Sequence, residues 1–254
     1  MMRRVDPRRS FDLHGERLDY PTRFEDGSSC MGLFTVGAAR AAELLRETPF
    51  TVAEVLPGRA VCSLNCVHYT DSDCGPYDEI ALALFVQPWD GTVSRLATAR
   101  SIAGGDIASH TWRLAVTTEL SRDAGIQMWG FPKQLGDIDY TNANGRASFS
   151  WRDGDALVLR YEVAAKGKRK PAPISPPVYS LIEGVPHVGH LTQRYEGVGV
   201  RPFGGTLELG DHTVSDELRR LGLGRRPLIA TWNDRLEFEM SAPSALPERA
   251  TAGI

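Results

Sequence analysis

Lys133 stands in an unusual place for a lysine. It follows Trp129, Gly130, Phe131 and Pro132 and precedes Gln134, Leu135 and Gly136. Proline fixes φ and removes a backbone donor, so a helix leading into this segment has to stop there. The lysine is thereby held at a rigid corner among aromatic and apolar neighbours. Desolvation disfavours the ammonium form, and a neutral lysine attacks a carbonyl carbon to form a Schiff base. Read locally, the segment better fits a solvated lysine at a helix–strand junction, the ordinary setting for this residue.

A second candidate is Glu79, which opens the run Glu79-Ile80-Ala81-Leu82-Ala83-Leu84-Phe85-Val86 just after Tyr77. A carboxylate where a polar loop enters an apolar strand is either a strand-end surface acid or the acid of a closed pocket. The cysteines are Cys30, Cys62, Cys66 and Cys74. Cys62 and Cys66, with His68 nearby, raise the question of zinc. Strand periodicity instead puts Cys62, Leu64 and Cys66 on one face, and no second ligand pair sits at metal spacing. We therefore read buried thiols and no metal site. His187 and His190 flank Gly189 after Pro186, which reads as a surface loop. The basic cluster Lys166, Lys168, Arg169 and Lys170 reads as a solvated loop before Pro171.

The elements that must position Lys133 and Glu79 follow from periodicity. Residues 118–129 read as a helix with a hydroxyl cap and an acid in its first turn, ended by Gly130. Further helices are expected at 37–46 and 215–221. Strands are expected at 30–36, 61–70, 79–86, 111–116, 178–182, 197–200, 206–209, 228–231 and 235–240. Residues 146–151 and 157–163 alternate cleanly about Arg152-Asp153-Gly154-Asp155 and form a hairpin. Residues 1–28 read as irregular surface chain, with 1–20 and 243–254 irregular or mobile. Many strands with few helices indicate one α+β domain over 1–254, mainly antiparallel, its sheet partly closed on itself with a few flanking helices.

Composition narrows the partners. Of 254 residues, 42% are hydrophobic and 24% charged, the balance of an ordinary globular protein. A net charge of −3 argues against nucleic acid or an anionic membrane as the main partner. No apolar run reaches the length of a membrane span, and the basic N-terminus has no apolar core behind it, so a cytoplasmic location is expected.

Phe131-Pro132-Lys133-Gln134-Leu135-Gly136 resembles the lysine motif of the acetoacetate decarboxylase superfamily in order and spacing. Cys74-Gly75-Pro76-Tyr77-Asp78-Glu79 resembles the segment carrying that family's active-site glutamate. Ile174-Ser175-Pro176-Pro177-Val178-Tyr179 and Leu207-Glu208-Leu209-Gly210-Asp211-His212 are similar to later parts of it. The likeness runs over about residues 20–242. It implies a cone-like barrel, a symmetric homo-oligomer, Lys133 as the Schiff-base lysine and Glu79 as the proton carrier. The substrate is then a small keto acid, with no external cofactor, because the lysine supplies the electron sink. Tyr77, Trp129, Phe131, Gln134 and Arg23 are the further pocket candidates.

Three departures qualify this expectation. Gln134 stands where the family has a second lysine. Leu64 stands where it has a second glutamate. The family's N-terminal arginine falls near Gly27, and the nearest arginine is Arg23. The resemblance gives the last two to the substrate carboxylate, and the second lysine to depressing the pKa of the nucleophile. Decarboxylation, aldol or dehydration chemistry on a pyruvate-like 2-oxo acid, and binding of a carbonyl metabolite without turnover all stay open.

Overall fold

The computed structural model describes residues 10–87 and 94–246. Among these, seven strands close into a ring: Thr22–Gly37, Arg59–Ser72, Tyr77–Gln87, Ser109–Val116, Pro177–Ile182, Val185–Glu196 and Arg235–Met240. They follow one another round the ring in chain order, and the last pairs back onto the first. Each pairing is antiparallel except that of Ser109–Val116 with Pro177–Ile182.

Strand periodicity sorts the side chains into two cores. Cys62, Leu64, Cys66, Ile80, Leu82 and Leu84 face outward. They pack against a second antiparallel sheet of Asp137–Ala143, Arg146–Asp153, Ala156–Ala164 and Gly205–Leu209, which contributes Phe149, Trp151, Leu159 and Tyr161. Val67, Tyr69, Tyr77, Ala81, Leu114 and Val116 face the other way, into the ring, with Phe24, Leu236, Phe238 and Met240. The strand Tyr77–Gln87 is apolar almost throughout because both its faces are covered. The four cysteines are buried free thiols, and Cys62, Leu64 and Cys66 share the outward face as their spacing predicts.

The fold is thus α+β and antiparallel-rich with a closed barrel, as expected. Among the described residues its helices are Ala38–Leu44, Arg95–Gly104, Glu119–Trp129 and Thr213–Leu221, and none is long and apolar enough to cross a membrane.

Several local expectations are corrected. Residues 10–19 are not irregular: Ser10–Leu13 pairs with Glu16–Asp19 in a hairpin whose Leu13 and Leu18 join the inner core. The first long strand starts at Thr22, well before Cys30, because Phe24 finds a stacked partner in Phe238 across the sheet. The expected loop around His187 and His190 lies inside the strand Val185–Glu196. Neighbours on both sides supply its hydrogen bonds and override the local proline and glycine signals. Residues three apart in a strand face opposite ways, so these histidines do not form a ligand pair. Ser244–Ala245 pairs with this same strand, so ordered structure extends past 243. The helix Arg95–Gly104 and the strand Asp137–Ala143 are additions. The expected irregular stretches at 1–9 and 247–254 lie outside the described residues.

The single parallel pairing of the ring is stapled by a buried histidine. His110 Nδ1 donates to the Tyr179 carbonyl at 2.9 Å, and its ring lies 4.9 Å from that of Phe50. Burial lowers its pKa from 6.5, partly offset by the carbonyl. Well above pH 6.5 the imidazole is neutral whether folded or not, so stability is undiminished there. As pH falls below 6.5, the unfolded chain binds a proton that the folded chain refuses, and stability drops. We predict a steeper loss of thermal midpoint between pH 6.5 and about 5 for the wild type than for His110→Gln. Equal losses would assign the acid sensitivity to other groups.

Candidate active site

The corner that carries Lys133 is built by the helix before it. Thr118 caps Glu119–Trp129, its Oγ1 accepting from the Ser121 N–H at 3.3 Å, with Glu119 in the first turn. Gly130 ends the helix at φ +67, where a Cβ would fall 2.2 Å from the Leu181 carbonyl oxygen. The Phe131 N–H reaches back to the Gly125 carbonyl at 3.0 Å and closes the turn. Pro132 then releases the chain into the short strand Lys133–Leu135, parallel to Ser109–Val116, with Lys133 opposite Leu114. Leu114 belongs to the inner core, so Lys133 also points into the ring.

There it meets Glu79. Lys133 Nζ lies 3.0 Å from Glu79 Oε2 and 3.0 Å from Ser121 Oγ, and 5.2 Å from the centre of the Tyr77 ring. The Tyr77 hydroxyl donates to the same carboxylate oxygen at 3.3 Å. Side-chain exposure is only 8% for Lys133 and 14% for Glu79, which makes this an enclosed ion pair. The residues across from Glu79 on its two neighbouring strands are Val67 and Val116, so its nearest strand partners are dry.

The rest of the wall is phenol and thiol. Tyr69 packs on Tyr77 at 4.5 Å. Burial, and secondly the Glu79 charge, push both phenols well above their ordinary range. Burial also pushes the Cys74 thiol up to about 11, against an opposing pull from the Lys133 charge. These groups stay protonated near neutral pH, which leaves the Lys133–Glu79 pair as the charged centre. Removing one member of such a pair strands the other charge in a poorly solvated site.

The remaining candidates divide. Trp129 is 3% exposed, and its indole N–H donates to the Ser241 carbonyl at 3.0 Å. Phe131 stacks on it with ring centres 6.4 Å apart, and Tyr20 meets it edge-on at 5.6 Å. Tyr20 also bonds the Met128 carbonyl at 2.6 Å, which ties the N-terminal segment over the helix. Gln134 is exposed, since the strand alternates and turns it away from Lys133. Arg23 is exposed on the outer side of its strand and pairs with Glu239 at 3.7 Å. Leu64 is fully buried on the outward face. Neither Arg23 nor Gln134 is therefore brought to the ion pair. A groove of about 600 Å³ exists elsewhere, over the second sheet, between Arg160, Glu208 and Arg219. Those charges are mostly satisfied within the chain, Arg160 by Glu208 and Arg219 by Asp216 and two carbonyls. Ser121 and Tyr69 were not singled out from sequence, and Cys74 was read there as a buried thiol and not as a site residue.

The acetoacetate decarboxylase (ADC) family model matches residues 14–236. Among solved structures, acetoacetate decarboxylase from Legionella pneumophila subsp. pneumophila str. Philadelphia 1 is similar at 15% identity and a TM-score of 0.68, over 89% of this chain and 87% of that one. The enduracididine biosynthesis enzyme MppR, solved in complex with pyruvate, is similar at 15% identity and a TM-score of 0.60, over 90% of this chain and 91% of that one. An acetoacetate decarboxylase-like enzyme from Sphingomonas wittichii RW1 is similar at 13% identity and a TM-score of 0.56, over 90% and 94%. A comparison with curated proteins found no match. With most of its length matched by the family model, and with the ring of strands already described, this chain belongs to the acetoacetate decarboxylase family.

Proposed function

We propose that this protein is an imine-forming enzyme acting on a small keto acid, with Lys133 as nucleophile and Glu79 as proton carrier. The observation that carries this reading is the 3.0 Å contact between Lys133 Nζ and Glu79 Oε2 inside the ring. Glu79 takes a proton from the ammonium, and the neutral amine adds to the substrate carbonyl. The carbinolamine then loses its oxygen as water, using the proton held by Glu79, and leaves a protonated imine on Lys133. Glu79 next removes a proton from the adjacent carbon, and the C–H electrons flow into the imine to give an enamine. The lysine itself is the electron sink, so the proposal needs no external cofactor.

Between the two reactions this centre could run, the geometry favours aldol or dehydration chemistry on a pyruvate-like 2-oxo acid. Loss of carbon dioxide requires the carboxylate to be gripped and turned out of plane. Arg23 is directed to Glu239 on the outside, and Leu64 belongs to the outer core, so neither takes that part. Proton transfer at the adjacent carbon needs only the imine and Glu79. That MppR has been solved with pyruvate supports the substrate class by analogy alone. A cytoplasmic setting, and assembly into a homo-oligomer with no nucleic-acid or membrane partner, belong to the same proposal.

Proton exchange in deuterium oxide tests the shuttle. We predict that the protein exchanges the methyl protons of pyruvate and that Glu79→Gln slows this by about 10²–10⁴-fold, the usual contribution of a general acid–base group. Unchanged exchange in Glu79→Gln would remove Glu79 from the mechanism. We also predict that carbon dioxide release from acetoacetate stays well below about 10 s⁻¹, a median enzyme turnover. Faster release would mean that a carboxylate grip is built from residues not identified above. Light scattering should give a mass that is a multiple of 27.9 kDa, and a monomer at micromolar concentration would contradict the assembly.

A further inference from the structure

We infer that Ser121 and Gly125 form a cradle on one face of the helix Glu119–Trp129 that positions Lys133 for attack. The inference deepens the imine-forming reading and rests on it for its catalytic consequence. Ser121 and Gly125 are one helical turn apart and lie on the same face. Both are buried. The lysine, which arrives after the turn at Gly130, lays its side chain back along that face. Its Nζ reaches Ser121 Oγ at 3.0 Å, and its methylene chain passes over Gly125.

Gly125 is the tighter constraint. A Cβ at this position would lie 2.3 Å from Lys133 Cδ, 2.5 Å from Cε and 2.9 Å from Cγ. Glycine inside a helix is destabilising relative to alanine. Gly125 has no positive φ to require it, unlike the helix-ending Gly130. What it supplies is the slot for the lysine chain. Each crowded atom belongs to one flexible side chain, so an added methyl would displace the lysine and leave the helix intact.

Ser121 fixes the other end. A neutral amine has two N–H bonds and one lone pair. One of these hydrogens is directed to Ser121 Oγ at 3.0 Å, which fixes the rotation of the amine beside Glu79, itself 3.0 Å away and holding the proton it has taken. The Ser121 hydroxyl also bonds Tyr77, which pulls that phenol slightly back down against the larger effect of burial. In this scheme Ser121 bonds the attacking nitrogen without giving or taking a proton, and Gly125 faces only the methylene chain. They are positioning residues that act through Lys133.

The test compares Gly125→Ala and Ser121→Ala with the wild type by three readouts: thermal midpoint, rate of borohydride-trapped adduct formation with pyruvate, and a crystal structure of Gly125→Ala. We expect Gly125→Ala to keep or raise the midpoint while slowing trapping roughly 10–100-fold, the order of cost of a small misplacement at a reacting centre. A merely structural role would move stability and reactivity together. Ser121→Ala should slow trapping in the same direction while remaining folded. In the Gly125→Ala crystal, Lys133 Nζ should have left hydrogen-bond range of Ser121 Oγ or Glu79 Oε2. Undiminished trapping with the lysine in its original place would overturn the cradle. If no keto acid traps the wild type, the imine reading fails by itself. The crystal then decides the cradle alone: a displaced lysine supports it and an unmoved one overturns it.

Discussion

The structure depends on one unfavourable act, the withdrawal of a lysine and a carboxylate from water. Taking two such charges into a poorly solvated site costs several kcal/mol per ion, roughly, and is offset only by close pairing and further hydrogen bonds. Lys133 and Glu79 meet both conditions. They lie 3.0 Å apart, with Ser121 and Tyr77 supplying the extra bonds. The seven-stranded ring makes this arrangement possible. Its inner face is apolar and aromatic from Phe24 to Phe238, so the pair has little competition from water or other charges.

Two unrelated segments have to converge for that pair to form. Glu79 comes from a strand buried on both faces, whose register is set by eight paired positions with Arg59–Ser72 on one side and seven with Ser109–Val116 on the other. Lys133 comes from a three-residue strand that would be trivial alone. Its placement is inherited from the helix before it, through the Thr118 cap, the left-handed Gly130 and the backbone bond from Phe131 to Gly125. Most of the positional accuracy at the lysine therefore resides in a helix and its two ends. Trp129 anchors the far end of that helix to the Ser241 carbonyl.

Much of this was legible in the residues. The helix and both its ends follow from a threonine cap, an early acid and a glycine before proline, all local signals. The hairpin at 146–163 was equally clear from its alternation, and the buried strand after Glu79 from its unbroken apolar run. What stayed hidden was decided by partners far away in the chain. Val185–Glu196 contains a proline and a glycine and reads as loop until its neighbours on both sides are known. The N-terminal hairpin looks irregular because only Leu13 and Leu18 of its eight paired residues are buried. In the site, Lys133, Glu79 and Tyr77 come together. Arg23 does not join them, since strand alternation sends it outward once Phe24 goes in. Ser121 and Gly125 went unremarked because small residues in a helix carry no chemical signal until something is seen lying across them.

The central claim is that the amine of Lys133, rather than any surface lysine, bonds to a substrate carbonyl carbon. Incubating the wild-type protein with pyruvate and sodium borohydride, then mapping the peptides by mass spectrometry, tests it directly. The account predicts a single reduced adduct on Lys133. An adduct confined to another lysine, or none with pyruvate or any other small keto acid, would contradict it.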